Sequence, residues 1–260
     1  MPRLVIIFIF ILANFVASAN YILIPMDKVQ KNHLKAYGIA YWVLENDIEL
    51  SWLLNYRGGS FITEFQRDIE EECKIRGVSY EILPNFKAEQ IFAEILQPDV
   101  NMDRIKLEKA PKIAVYSPKS KLPWDDAVTL VLTYAEIPYD VIYDKEIVHG
   151  DLARYDWLHL HHEDFTGQYG KFYGNYSHTQ WYKESQTELE TLAAELGFRK
   201  VSELKKFVVR TIRNYVQSGG FLFAMCSATD TYDIVLAVGE AEMCMPMFDG
   251  DGIDQGVQEK

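Results

Sequence analysis

The sequence predicts an α/β protein with two tandem units of parallel, doubly wound sheet of the Rossmann or flavodoxin kind. Short apolar runs alternate with segments of helical periodicity from residue 21 onward, and the same alternation begins again after a polar break at residues 97–110. Alternating strands and helices are typical of parallel sheets with crossover helices. The 260 residues are 48% hydrophobic and 25% charged, which is enough apolar material for a substantial core.

In the first half, apolar runs predict strands and polar-faced segments predict the helices between them. Gly58 and Gly59 end the second strand, while Asn32 and Gly77 suit helix cap positions. The predicted strands are residues 21–26, 49–56 and 79–83, the predicted helices are residues 32–44, 63–76 and 88–96, and residues 97–110 are a predicted linker.

The second half repeats the pattern around a polar, aromatic insertion at residues 163–182. A doubly wound sheet usually closes with a further strand or helix, and this chain ends soon after an acidic turn. We therefore assign residues 20–100 and 111–260 to two units and expect the second to be incomplete at its C-terminus. The predicted strands are residues 112–116, 139–143, 156–162 and 221–225, and the predicted helices are residues 124–135, 201–216 and one that includes 232–238.

Residues 1–19 predict a cleaved signal peptide. Arg3 gives a short positive region, residues 4–16 are apolar except for Asn14, and Ala17-Ser18-Ala19 provides the small residues that suit cleavage. The alternative is a membrane anchor, but a spanning helix needs about 20 apolar residues and this run is shorter. We expect an exported protein, periplasmic or secreted, with no membrane span after cleavage.

The formal net charge of -12 disfavours nucleic acid as a partner, because an acidic surface repels phosphate. We expect instead a small-molecule ligand or substrate, and no cofactor. Of the three cysteines, Cys226 and Cys244 are close enough in sequence to pair, and free buried thiols are equally compatible with the sequence.

Reactive side chains follow the predicted strands of the second half. Ligands bind beyond the carboxyl ends of parallel strands, so residues at these places are site candidates. The candidate catalytic residues are Cys226, His161, His162, Glu163 and Asp164, and the candidate substrate-binding residues are Ser117, Lys119, Ser227, Ala228, Thr229 and Asp230.

Cys226 has the strongest local pattern. It follows an apolar strand and precedes a helix, and Ala224 and Ala228 provide the small side chains that a tight nucleophile turn needs. A helix N-terminus stabilises a thiolate and offers N–H groups to an oxyanion. The alternative is an inert, buried cysteine at the end of a strand.

The histidines permit three interpretations. Alternation along the strand puts His159 and His161 on one face of the sheet and His162 on the other. They can line a polar pocket, act as acid or base for Cys226, or bind a metal with Glu163 or Asp164, although no metal site is assigned.

Three weaker patterns have ordinary explanations beside functional ones. Residues 249–254 resemble a calcium loop without its closing Glu, and a solvated turn is the alternative. Residues 243–247 contain soft sulfur donors that suit copper or simple packing. Residues 55–60 suit an anion cradle or a plain turn.

Several segments resemble a family of exported proteins commonly labelled asparagine synthetase B. Glutamine-dependent asparagine synthetases start with a nucleophilic cysteine after the initiator Met and carry a Ser-Gly-Gly-x-Asp-Ser loop. This sequence has Pro2 and no such loop, so ATP-dependent asparagine synthesis is not expected. The segments that carry the resemblance are residues 21–27 (YILIPMD), 33–45, 53–61 (LLNYRGGSF), 121–144, 155–170 (YDWLHLHHEDFTGQYG) and 219–234 (GGFLFAMCSATDTYDI).

The second half also resembles the class I glutamine amidotransferase-like fold, a flavodoxin-like sheet with a cysteine at a strand–helix turn. The resemblance implies that Cys226 is the catalytic cysteine and that partner His and Glu residues come from a later strand. Ala224 and Ala228 stand where that family usually has glycine.

Two functions are therefore open. The first is an amide hydrolase in which Cys226 is the nucleophile and His161 or His162 is the base. In it, Glu163 and Asp164 orient the base, and the Ser227 and Ala228 N–H groups face the oxyanion. The second is a non-catalytic exported protein that binds a small molecule or sugar through the aromatic insertion, Phe165, Tyr169, Phe172, Tyr173, Tyr176 and Trp181.

Overall fold

The computed structural model describes residues 20–118, 127–169 and 172–257, which form two compact units. One unit covers residues up to Ala110 together with Tyr134–Ile137, and the other covers Pro111–Thr133 and the chain from Pro138 onward. The predicted signal peptide at residues 1–19 lies outside the described residues.

The first unit contains a five-stranded sheet in which every neighbouring pair of strands is antiparallel. The strand order is β4-β1-β3-β2-β5. Ile22, Ile24 and Ile39 are fully buried in its core. The elements are β1 (Asn20–Ile24), α1 (His33–Glu45), β2 (Leu50–Leu54), β3 (Ser60–Glu64), α2 (Arg67–Arg76), β4 (Glu81–Pro84), α3 (Asn85–Ile95) and β5 (Asp103–Leu107).

The prediction of a parallel, doubly wound first unit is wrong. The start of the predicted helix at residues 63–76 belongs to β3, and β5 lies inside the predicted linker and pairs with β2. Asn55 and Arg57, at φ 60° and 46°, form the turn between β2 and β3 with Gly58 and Gly59. A turn this short joins antiparallel strands, because a parallel connection needs a crossover of a dozen or more residues.

The second unit contains a four-stranded parallel sheet with strand order β7-β6-β8-β9. All four predicted strands are present and slightly shorter than predicted. The elements are β6 (Ile113–Tyr116), α4 (Ala127–Ala135), β7 (Asp140–Ile142), α5 (Asp144–Val148), β8 (Trp157–Leu160), α6 (Tyr173–Tyr176), α7 (Gln180–Glu195), α8 (Val201–Gln217), β9 (Phe221–Ala224), α9 (Ser227–Val238) and α10 (Pro246–Asp249).

One face of the parallel sheet packs against α8. Leu158 and Leu160 of β8 share a buried cluster with Leu204 and Val208 of α8, and burying each such side chain contributes about 1.5–3 kcal/mol. On the edge strand β9, the alternate residues Phe221 and Phe223 are 57% and 46% exposed. The molecule is thus a mixed α/β protein with one parallel and one antiparallel sheet, and the predicted doubly wound arrangement is not confirmed.

Candidate functional site

The carboxyl ends of the four parallel strands bring four chain segments to one edge of the sheet. Ser117 follows β6, Tyr143 follows β7, His161 follows β8, and Met225 and Cys226 follow β9. Leu160 and Ala224, the last residues of β8 and β9, are paired with each other. The segments that begin at His161 and Met225 therefore start side by side. Sequence reasoning placed Ser117, His161 and Cys226 at this edge, and the sheet order brings their backbones there.

Cys226 occupies a sharp turn between β9 and α9. Its backbone lies at φ 53° and ψ -143°, and its side chain is exposed. A residue other than glycine in this region costs of order 1–3 kcal/mol, and such strain is concentrated at functional sites. The alternative of a buried cysteine at the end of a strand is therefore wrong for Cys226. Cys73 and Cys244, in contrast, are buried, and all three cysteines are free.

Several hydrogen bonds fix this turn against residues 161–163. The Met225 N–H donates to the Leu160 carbonyl at 3.1 Å, which extends the ladder between β8 and β9 by one residue. The Ser227 hydroxyl donates to the His162 carbonyl at 2.9 Å, and the Thr231 hydroxyl donates to the Glu163 carbonyl at 2.9 Å. The turn at Cys226 and residues 161–163 are therefore held together by hydrogen bonds.

The two candidate bases contact each other. The Nδ1 atoms of His161 and His162 lie 3.1 Å apart, so one ring donates a hydrogen bond to the other. Their ring centroids are 4.7 Å apart and the rings meet edge to face. Among the described residues, the Cys226 sulfur makes no hydrogen bond to either imidazole. The hydrogen bond between a catalytic nucleophile and its base often tightens only when substrate binds.

Glu163 and Asp164 were predicted to orient a base, and their contacts organise the backbone around it. One carboxylate oxygen of Glu163 accepts the His161 main-chain N–H at 3.0 Å. Asp164 accepts the N–H of Thr166 at 2.8 Å and its hydroxyl at 2.6 Å. Both carboxylates therefore hold the shape of the segment that carries the imidazoles.

The predicted oxyanion donors differ from each other. The Ala228 N–H points at the His161 carbonyl at 3.4 Å, so that donor is already directed at another acceptor. No hydrogen bond from the Ser227 N–H to another described residue is present, and this group follows the nucleophile directly. Ser227 N–H is the better donor for a developing oxyanion.

The remaining predicted substrate-binding residues differ in their exposure to solvent. Ser117 is buried, and its N–H donates to the Ile142 carbonyl at 3.0 Å. Thr229 and Asp230 are exposed in the first turn of α9. Lys119 lies outside the described residues.

A buried ion pair beneath this edge was missed by the sequence reasoning. Lys205 of α8 is 2% exposed and Asp144 is fully buried, and the Lys205 Nζ lies 2.8 Å and 3.0 Å from the two Asp144 carboxylate oxygens. Nζ also lies 2.8 Å from the Tyr116 hydroxyl and 3.2 Å from that of Tyr143, and Tyr116 donates to Asp144. The signal was readable, because Lys205 lies on the apolar stripe of an amphipathic helix.

Burial controls the protonation of this cluster. Burial and the nearby Asp144 carboxylate hold the pKa of the Tyr116 hydroxyl well above its usual value. Burial likewise raises the pKa of Tyr143 to about 12. Although burial alone lowers the pKa of Lys205, the Asp144 carboxylate and the Tyr143 hydroxyl together outweigh it and raise that pKa. Both phenols are therefore neutral and the lysine is charged at neutral pH.

The metal interpretations gain no support from the positions of the side chains. His159 is buried and stacks on Phe223 with ring centroids 5.4 Å apart, while its ring lies 6.4 Å from that of His161. In the described ranges, no group of three or more His, Cys, Asp or Glu side chains is arranged to hold a metal ion.

Each of the three weaker patterns contains a side chain that contacts its own unit. Lys200 lies 3.0 Å from an Asp249 oxygen and 2.9 Å from an Asp251 oxygen, so a lysine ammonium neutralises the acidic turn. The buried Cys244 donates to the Gly167 carbonyl at 3.4 Å. Arg57, the candidate anion ligand, is paired with two carboxylates of its own unit.

The aromatic insertion forms a cluster of its own rather than an open row. Tyr173 meets Tyr182 and Phe248 at ring centroid distances of 6.2 Å and 4.7 Å, and Tyr176 meets Trp181 at 5.5 Å. Phe165, in contrast, is fully buried in the core.

No protein-family model, curated protein or solved structure matches the chain. The resemblance to the family labelled asparagine synthetase B therefore stays a prediction. No helix within the described residues is both long and apolar enough to cross a membrane.

Proposed function

We propose that this chain is an exported, cysteine-dependent amide hydrolase whose second unit is related to class I glutamine amidotransferases. The strained, exposed backbone position of Cys226 between a parallel strand and a helix is the observation that carries the proposal. An exposed cysteine at an ordinary strand end has no need of such a conformation. Export rests on the sequence of residues 1–19 alone.

The chemistry follows from the groups around the turn. The Cys226 sulfur attacks the carbon of a carboxamide while His161 or His162 takes the thiol proton. Charge then develops on the carbonyl oxygen, where the Ser227 N–H and the N-terminus of α9 stabilise it. The C–N bond breaks, and the imidazolium returns its proton to the departing nitrogen, which leaves as ammonia. Water then hydrolyses the thioester and restores the thiol.

Ammonia release from L-glutamine, L-asparagine and a peptide carboxamide tests this proposal. We expect release by the full chain, a loss of at least about 100-fold in Cys226→Ser, and little change in Cys244→Ser, whose hydroxyl can still donate to Gly167. Of His161→Ala and His162→Ala, the variant that removes the base should lose about 10²–10⁴-fold. Equal release by Cys226→Ser and the parent chain, or none by the parent chain on any of the three substrates, contradicts the proposal.

A second candidate function is non-catalytic binding of a sugar or another small ligand. It is favoured by the cluster around Tyr176 and Trp181, since Tyr176 is 43% exposed and its ring is tilted at 48° to that of Trp181. Paired aromatic rings suit the apolar faces of sugars. Titration of tryptophan fluorescence with a panel of monosaccharides separates the candidates, because binding that is lost in Trp181→Ala and kept in Cys226→Ser supports this second function alone.

A further inference from the structure

Close packing of the core does not require the buried Lys205–Asp144 ion pair. Replacing a buried ion pair by apolar side chains is often neutral or stabilising, so its presence calls for another explanation. Here every donor of the Lys205 ammonium is used by the two Asp144 oxygens and the hydroxyls of Tyr116 and Tyr143. The arrangement is a completed polar network under the edge that carries Cys226.

Three aromatic rings surround the same ammonium. Its Nζ lies 4.5 Å from the ring centroid of Tyr143, 5.4 Å from that of Tyr116 and 5.8 Å from that of Phe165. Phe165 stacks on Tyr116 at 5.3 Å and meets Tyr232 of α9 at 5.9 Å. A cation held over ring faces attracts them electrostatically, and the attraction is greater when the cation is desolvated.

Phe165 is the link between this network and the histidines. It directly follows Asp164, so its position fixes the far end of the segment that begins at His161. The near end is fixed by the turn at Cys226, through the bonds from Ser227 and Thr231 to the carbonyls of that segment.

We propose that Lys205 is a positioning residue that, through Phe165, holds the imidazoles of His161 and His162 in register with the Cys226 turn. It touches neither substrate nor reacting atoms, and its effect on chemistry rests on the proposed function of Cys226. Without the ammonium, the rings of Tyr116 and Phe165 no longer surround a charge. The position of Phe165, and with it the C-terminal end of residues 161–165, is then less firmly held.

The test uses the full chain with both charges removed, because Lys205→Met alone leaves a buried carboxylate unpaired and strongly destabilises the unit. In Lys205→Met/Asp144→Asn, the amide oxygen can still accept the Tyr116 hydroxyl. Leu152→Ala is the matched control, since Leu152 is buried in the same core but its side chain has neither charge nor hydrogen-bonding group. The readouts are the ring ¹⁵N resonances of His161 and His162, and the rate at which iodoacetamide alkylates Cys226.

We expect the double variant to fold, to shift the ring resonances of both histidines and to slow the alkylation of Cys226 by at least about fivefold, while Leu152→Ala changes neither readout. Unchanged histidine resonances in a folded double variant overturn the positioning role. If the parent chain alkylates no faster than free cysteine, the proposed function fails, and the histidine resonances alone then decide whether Lys205 positions them.

Discussion

Replacing Cys226 with glycine should stabilise the protein relative to replacing it with alanine. Alanine keeps the strain of a backbone at φ 53° and ψ -143°, which is of order 1–3 kcal/mol, and glycine relieves it. Glycine also costs about 0.5–1 kcal/mol through the greater freedom of the unfolded chain. The side chain is exposed, so neither variant loses much buried surface. The balance favours Cys226→Gly over Cys226→Ala by about 1 kcal/mol.

Urea unfolding followed by circular dichroism measures this difference. With a dependence of about 2 kcal/mol per molar urea, we expect the midpoint of Cys226→Gly to lie about 0.5 M above that of Cys226→Ala. Asp230 is the matched control, since it is exposed in the first turn of α9 with ordinary helical geometry. There glycine should be less stable than alanine by about 1 kcal/mol. If Cys226→Gly is no more stable than Cys226→Ala, the turn is not strained and the argument from its geometry is refuted.

Three further predictions follow from the second unit. Lys205→Met should lower the free energy of unfolding by about 3–5 kcal/mol, because it leaves a buried carboxylate uncompensated; a loss below 1 kcal/mol in calorimetry contradicts this. Hydrogen bonding to Lys200 lowers the pKa of the Asp251 carboxyl. This contact therefore stabilises the folded protein at pH values above the unfolded pKa near 4, and its contribution is lost as the pH falls further. Lys200→Met should therefore flatten the loss of stability between pH 5 and 3, and an unchanged slope argues against the contact. Gly167→Ala should lower the free energy of unfolding by a few kcal/mol, because the φ of Gly167 is +76° and a Cβ there would lie 2.7 Å from the Ser202 Cα. A thermal midpoint equal to that of the parent chain would contradict this and show that the backbone can shift at Gly167.

The parallel sheet could be predicted because its central strands, β6 and β8, are largely buried and read as apolar runs. The runs that became β6 and β8 are flanked by polar residues, so their limits are visible in the sequence. The antiparallel first sheet could not be predicted in the same way. Its direction depends on the turn at Asn55 and Arg57, and left-handed backbone at an arginine has no reliable signature in the sequence.

The sequence predicts which residues lie at the candidate site but not the contacts that they make. Chain order places His161 and Cys226 after neighbouring strands, and the rule for ligand sites in parallel sheets brings them to one edge. The pairing of the two imidazoles and the bond from Ser227 to the His162 carbonyl depend on side-chain rotamers, which sequence spacing does not determine. Lys205 was missed because a lysine on a helix is usually assumed to face water.

The rate of iodoacetamide alkylation at Cys226, measured by peptide mass spectrometry at pH 6.5, tests the central claim most directly. Cys73 and Cys244 provide internal controls, because burial raises the pKa of each thiol to about 12 and leaves both unreactive. An activated nucleophile beside a helix N-terminus and two imidazoles should react at least about tenfold faster than free cysteine. A rate equal to that of free cysteine would mean that the turn presents an ordinary thiol.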